Sequence, residues 1–314
     1  MTLTQLEYII AIAEHGSFVE AAEHCFVTQP ALTTQVKNLE NELDVVIFDR
    51  TRKPIIPTEI GRQIIDQSRE IVMQSKKIPD LVTEYNQEVK GDLRLGIIPT
   101  ISPYLVPLFI NTFNESHPKV NLHVSEEITE EVITKIKNGE LDAGIIATPI
   151  DTKGVIFLPM YYEAFYGFVS TSHENYYRDQ IALDEIALDD LWLLKEGNCF
   201  RNQVINICSK NKEGEFHDHF RYESHSIESL KRIVEVKKGM TLIPELATRD
   251  IAASKKDMIK PIVGKPVREI SLVVSRQFLK KRFIDGLKNS ILESLPKEML
   301  IKPEGHVVET NIQV

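Results

Sequence analysis

SFVEAAEHCFVTQPALTTQVKNLENEL, Ser17 to Leu43, reads as two helices joined by a few residues. Ser17-Phe18-Val19-Glu20 is a capping box: the Ser17 hydroxyl can accept from the Glu20 N–H, and the Glu20 carboxylate can reach back. That helix ends near His24. Thr28 is the next candidate N-cap, with Pro30 in the first turn, where its missing N–H costs nothing. Ala31, Leu32, Val36, Leu39 and Leu43 form an apolar stripe at helical spacing. Thr28, Gln29, Pro30, Thr33, Thr34, Gln35, Lys37 and Asn38 are left to the exposed side. Gln and Asn can bond adenine bidentately, Thr can touch a thymine methyl, and Lys reaches phosphate.

Upstream, Leu3, Leu6, Ile9, Ile10 and Ala13 follow the helical period until Gly16 closes the run. Downstream, Ile47 to Pro57 holds two prolines and the cations Arg50, Arg52 and Lys53, which suits a short β-wing placed on the DNA backbone. Three helices and a wing make a winged helix-turn-helix whose third helix can enter the major groove of double-stranded DNA. Thr58 can cap a long helix over about 59–88. Ile64, Ile71, Ile78 and Tyr85 lie seven apart there, with Ile60 and Leu81 between them. That spacing fits a two-helix seam or a helix lying on its own domain, and the change of architecture on either side favours the seam. Pro79 predicts a kink or an early end.

From Gly91 the pattern becomes strands alternating with helices: 93–97, 104–114, 120–124, Thr129 (as N-cap) to Asn138, and 141–147. Later strands are expected at 191–194, 240–243 and 270–274, and a last helix at about 278–294. This predicts a mostly parallel sheet covered on both faces, followed by a loose tail. The expected organisation is therefore a DNA-binding head over 1–58, a dimerising linker helix over 59–88, an α/β domain over 89–296 and a tail over 297–314.

The 314 residues carry 37 Lys and Arg against 46 Asp and Glu, a net charge of −9. Residues 1–58 hold four cations, Lys37, Arg50, Arg52 and Lys53, against eight acids. DNA affinity must then come from a few placed cations, helix N-termini and several heads per assembly. Three cysteines, Cys25, Cys199 and Cys208, are too few and too odd for a secreted disulfide scaffold. Cys25 reads as a buried hydrophobe. The first residues show no signal-peptide pattern, and no run of ~18 apolar residues occurs, so the expected location is cytoplasmic with no membrane partner. His217, His219 and His225 with Cys208 match no common zinc spacing, and neither a metal nor a cofactor is expected.

Phe18 to Gly61 resembles the head of LysR-type transcriptional regulators, whose pattern runs F-x-x-A-A, S/T-Q-P/S-A-L-S/T, L-E-x-x-L-G-x-x-L-F-x-R, T-x-x-G. The sequence departs at Asp44, where glycine is usual, and at Pro57. The resemblance implies a dimerising linker helix and a C-terminal regulatory domain like a two-lobed periplasmic binding protein.

Cys199 follows the apolar run Leu191 to Leu194, and Cys208 lies nine residues on. On a helix the two thiols would face opposite sides, ~13.5 Å apart along the axis. A disulfide needs Cα atoms within ~7 Å, so joining them requires unwinding. A helix N-terminus and nearby Arg201 would lower the Cys199 pKa and favour it for first attack. Peroxide would give a sulfenic acid, which Cys208 would resolve. The G-x-C-x-R-x-Q run of Gly197, Cys199, Arg201 and Gln203, with Cys208, is similar to OxyR-type hydrogen peroxide sensors within the LysR family. So are Gly96 to Leu105, His219-Phe220-Arg221, Ser226 to Leu230 and Gly239 to Pro244.

That resemblance implies a peroxide pocket of Thr100, Thr129, Asn198 and Arg201. It also implies a homodimer or homotetramer, resetting by a cellular thiol reductant, and RNA polymerase as a partner. Asn198 and Asn202 stand where histidine and aspartate are common. Arg268 reads as a surface or lobe-crossing ion pair that could support the pocket. The competing reading is a LysR-type regulator with an organic effector between its lobes and incidental cysteines. An enzyme such as a thiol peroxidase has no need of the head.

Overall fold

The computed structural model describes residues 1–85, 89–183, 186–187, 190–208, 222–276, 278, 280–303 and 306–312. The chain forms two compact units, Met1–Asn86 and Gln87–Val314.

The first unit holds α1 (Leu3–His15), α2 (Phe18–His24), α3 (Gln29–Leu43), the hairpin β1 (Phe48–Asp49) and β2 (Ile56–Pro57), and α4 (Glu59–Tyr85). Its core is Leu6, Ile9, Ile12, Ala21, Leu32, Val36, Leu39 and Phe48, to which α4 adds Ile65 and Val72. The caps explain the boundaries. The Ser17 hydroxyl accepts from the Glu20 N–H, and Thr58 Oγ1 accepts from the Gly61 N–H at 2.9 Å. Thr2 and Gln5 form a full capping box at α1, which the sequence reading did not assign. Thr28 occupies the N-cap of α3, but its side chain makes no capping hydrogen bond. Helix α4 continues through Pro79 to Tyr85 rather than ending at the proline. Cys25 is half-buried, not fully enclosed.

The second unit is built on one sheet in the order β4 (Val120–Glu126), β3 (Gly91–Ile97), β5 (Ala143–Thr148), β9 (Val267–Ser275), β6 (Val155–Val169), β7 (Met240–Pro244), with β8 (Ile259–Pro261) paired to β6. Only β3 with β4 and β3 with β5 run parallel; every other named strand pair is antiparallel. The sheet is thus mixed, not mostly parallel. The fifteen-residue β6 joins the two lobes. Its first part pairs with β9 from Val155 to Ala164, and its last five residues pair with β7. Helices α5 (Ser102–Ser116), α6 (Thr129–Lys137) and α9 (Lys281–Ser294) belong with the first lobe; α7 (Cys199–Cys208) and α8 (Ile227–Val236) belong with the second. Gly144 on β5 lets α6 lie close, since a Cβ there would collide with Val132.

Three expectations need correction. The strand expected at 191–194 is a single bridge between Leu191 and Met240. Thr129 is the first helical residue of α6, and Ile128 is its N-cap. The tail is not loose where described: Val308, Thr310 and Ile312 are buried, and Val307 bridges Val267.

Asp44 explains the departure from glycine noted above. It ends α3 with φ +52, a left-handed conformation that costs a residue with a Cβ roughly 1 kcal/mol or more. Asp44→Gly relieves that cost but adds freedom to the unfolded chain, so the head gains at most about 1 kcal/mol. Thermal unfolding of the full chain measures it; a fall in head stability would show that the Asp44 side chain contributes more than its backbone costs.

Candidate functional site

The candidate sensor forms where three strands and two helices converge. Arg268 on β9 sits opposite Glu163 on β6 in the ladder register. Both are 1 % exposed, and Arg268 Nη2 lies 2.7 Å from Glu163 Oε1. A buried charge pair of this kind survives only if its remaining donors and acceptors are met. They are: Arg268 Nη1 donates to Thr100 Oγ1 at 3.1 Å, Nη2 donates to the Thr100 carbonyl at 3.0 Å, and the Leu246 N–H donates to Glu163. The guanidinium also lies 5.0 Å from the centre of the Phe200 ring. Burial still pushes the Glu163 carboxyl up, with Arg268 pulling it back down.

Gly197, at φ +88, turns the chain into α7. Cys199 is the first residue of that helix and is buried. Burial pushes its thiol pKa up; Thr129, Arg268 and the N–H groups of Phe200 and Ala147 pull against it. The net direction is upward, opposite to the sequence expectation of a lowered pKa. The Thr129 hydroxyl faces the thiol yet meets full hydrogen-bond geometry with no partner, leaving a buried oxygen unsatisfied. Cys208, at the other end of α7, is buried in apolar surroundings that push its thiol up to about 12. Both cysteines are free thiols.

The four pocket residues expected from the sequence separate into two groups. Thr100 and Thr129 converge with Cys199 around Arg268. Arg201 does not join them: Nη1 donates to the Leu194 carbonyl at 3.1 Å, and the side chain approaches Glu196. Residues two apart on a helix do not share a face, so Arg201 points away from Cys199. Asn198 is buried beside the thiol, but its amide donates to the Lys195 carbonyl and meets His225 Nδ1 at 2.6 Å. The cation at the thiol is Arg268, which the sequence reading gave only a minor part.

In the head, Thr28, Gln29, Pro30, Thr34, Gln35 and Lys37 are exposed and Thr33 is half-buried. Gln29 donates to Thr33, and Thr34 donates to the Pro30 carbonyl. The three wing cations differ. Arg50 pairs with Glu40 at 2.5 Å and lies over the Phe18 ring, so it is held within the head. Arg52 approaches Asp49 at 3.4 Å, and Lys53 is exposed. Phe26, to which the sequence reading gave no role, is 96 % exposed at φ +56 in the turn before α3.

This head and regulatory unit match known proteins along most of their length. Residues 3–62 match the family described as bacterial regulatory helix-turn-helix protein, lysR family, and residues 86–293 match the LysR substrate binding domain. The chain belongs to the LysR family. A similar relative is the hydrogen peroxide-inducible genes activator of Dickeya chrysanthemi, 31% identical over 79% of this chain and 80% of that protein. Full-length OxyR from Pseudomonas aeruginosa, carrying a cysteine-to-aspartate substitution, superposes with TM-score 0.74 at 31% identity, covering 93% of this chain and 98% of that one. Reduced OxyR from Porphyromonas gingivalis superposes with TM-score 0.63 at 30% identity, covering 69% of this chain and all of that one.

As a LysR-type regulator, the chain has a DNA-binding fold and belongs to a family of regulators rather than enzymes. No helix among the described residues is long and apolar enough to cross a membrane. No group of three or more His, Cys, Asp or Glu among the described residues could hold a metal ion. His217, His219, Phe220 and Arg221 lie outside the described residues.

The raised Cys199 pKa sets a pH dependence. Thiolate is the nucleophile, and below its pKa the thiolate fraction grows about tenfold per pH unit. Peroxide oxidation of Cys199, followed by thiol labelling, should therefore keep rising through neutral pH without a plateau. Thr129→Val removes a group that pulls the pKa down, so it should slow oxidation at every pH in that range. A plateau already reached at neutral pH would show that the thiolate forms more easily than the burial allows.

Proposed function

We propose that this LysR-type regulator senses hydrogen peroxide through a reversible Cys199–Cys208 disulfide and responds by changing how it engages promoter DNA. The observation that carries this reading is the placing of Cys199. It is a buried thiol at the start of α7, beside Thr129 and the Arg268–Thr100 pair, and the same helix ends on a second buried thiol. The names of the relatives support the same chemistry.

The site residues take the following roles. Thr100 and Thr129 hold the peroxide oxygens, and Arg268 stabilises both the thiolate and the leaving hydroxide. Asn198 and Arg201 shape the start of α7, through the Lys195 and Leu194 carbonyls respectively. The Cys199 thiolate attacks one peroxide oxygen, giving a sulfenic acid and hydroxide. Cys208 cannot reply while α7 is intact, because it lies on the opposite face and its thiol stays protonated. Unwinding exposes it, it ionises, and it displaces hydroxide from the sulfenic sulfur to form the disulfide. A cellular thiol reductant reverses the step.

The working boundaries are a head over 1–58, a dimerising linker over 59–88, a regulatory domain over 89–296 and a C-terminal tail over 297–314. Ile71, Ile78, Leu81 and Val82 of α4 are exposed apolar residues, which supports a dimer seam. A homodimer or homotetramer would present several heads, compensating for the few cations on each. The DNA-facing set is Thr28, Gln29, Pro30, Thr33, Thr34, Gln35, Lys37, Arg52 and Lys53, with Arg50 bracing the wing through Glu40. In this reading the protein is cytoplasmic, is not an enzyme, and works on promoters with RNA polymerase.

The test is to add stoichiometric peroxide to the full chain, map disulfides by peptide mass spectrometry, and footprint promoter DNA in both states. A Cys199–Cys208 linkage and a changed footprint are expected, with Cys199→Ser locked in the reduced footprint. Absence of that linkage, or a Cys199→Ser protein that still shifts its footprint with peroxide, would sink the proposal. An organic effector between the lobes would then account for the regulatory domain.

A further inference from the structure

The segment over residues 306–312 is fastened to the protein at three places. Along β9, the Val267 N–H donates to the His306 carbonyl at 3.2 Å and the Val308 N–H donates to the Val267 carbonyl at 2.9 Å. At the turn after β5, Thr310 Oγ1 donates to the Pro149 carbonyl at 2.6 Å. The third attachment is to α7. Gln203 Nε2 donates to the Val308 carbonyl at 2.8 Å, and Asn206 Nδ2 donates to the Glu309 carbonyl at 3.0 Å. Asn311 Nδ2 returns a bond to Asn206 Oδ1 at 3.0 Å.

Gln203 and Asn206 both lie between the two cysteines, three residues apart, and so share one face of α7 only while it is helical. Gln203 is 0 % exposed. With the segment in place this hydrogen bond is closed off from water, and the segment cannot keep both attachments on that face if the helix unwinds.

We propose that Gln203 and Asn206 are positioning residues that fasten residues 306–312 to the switch helix, and that disulfide formation between Cys199 and Cys208 releases this C-terminal strap from α7. The inference rests on the disulfide reading above. The redox balance is complete: two thiols give up two protons and two electrons, the S–S bond forms, the peroxide O–O bond breaks, and two waters leave. Because the strap bonds exist only with the helix formed, they weight the equilibrium toward the reduced state, and removing them favours the disulfide. The strap thereby carries the redox state from α7 to β9 and to the turn at Pro149.

The experiment is hydrogen exchange by mass spectrometry on the full chain, reduced and peroxide-treated, with the disulfide quantified in the same sample. Amides of residues 306–312 should exchange at least about tenfold faster after oxidation. Equilibration with glutathione provides the second measurement. Gln203→Ala with Asn206→Ala, and separately a chain ending at residue 305, should each shift half-oxidation about fivefold toward the disulfide, and combining them should add nothing further. A role in folding alone would lower stability without moving that midpoint. If no disulfide forms in the wild type, both this inference and the disulfide reading are overturned. If it forms while exchange at 306–312 and the glutathione midpoints of the variants stay unchanged, the strap alone is overturned. The wild-type exchange measurement stands even if a variant does not fold.

Discussion

Helix α7 advances about 1.5 Å per residue, which sets its terminal cysteines ~13.5 Å apart along the axis and on opposite faces. A disulfide reaches only ~7 Å between Cα atoms. The ten residues from Cys199 to Cys208 can therefore be a helix or a closed loop, but not both. What packs on α7 inherits that constraint. Phe200 stacks on Phe165 of β6 at 5.2 Å between ring centres and lies under the Arg268 guanidinium. Gln203 and Asn206 hold the C-terminal segment. Unwinding the helix disturbs both contacts at once, which is how a bond between two sulfurs can affect residues on β6 and β9.

The buried Arg268–Glu163 pair sets the electrical conditions for that step. The two residues come from neighbouring strands, so their separation is set by the sheet and not by flexible side chains alone. Replacing Arg268 by a small residue would strand the Glu163 carboxylate, a loss of roughly 3–5 kcal/mol. The same cation opposes the burial penalty on Cys199. Sensor chemistry and structural integrity are therefore joined at one guanidinium. This contrasts with Arg201, which is nearer to Cys199 in sequence but bonded to the Leu194 carbonyl.

The head was almost wholly legible in the sequence because its signals are local. Ser17, Gly16, Pro30 and Thr58 mark boundaries through caps and turns that involve neighbours a few residues away. The regulatory domain is legible in its first half, where βαβ rhythm repeats, and again at β7, β9 and α9, but not in the long β6 between them. Strand β6 is hidden because Pro159 and Gly167 interrupt a run that otherwise favours strand; the ladder accommodates Pro159 with a register shift before Tyr161, while Gly167 stays in register with β7 and β8. Its antiparallel partner β9 lies roughly a hundred residues away, and no local period reports such pairing. The site followed the same rule. The cysteine pair was visible as a spacing, whereas Arg268 comes to Cys199 only through the sheet. Arg201 is near Cys199 in sequence, but helical geometry turns it away, onto the Leu194 carbonyl.

Charge gives the head its own logic. Its few cations are not equivalent once folded: Arg50 is paired with Glu40 and laid over Phe18, so it shapes the wing instead of offering a free charge to phosphate. That leaves Lys37, Arg52 and Lys53 to meet a polyanion over residues 1–58, where acids outnumber bases eight to four. Phosphate attraction that weak falls quickly with salt, and one head alone would hold DNA loosely. Linked heads raise the effective concentration of each other on the duplex, but only where their spacing matches the half-sites. In the proposed oligomer, weakly binding heads make the complex sensitive to head spacing, and a redox change in the regulatory domain needs only to alter that spacing to change which DNA is held.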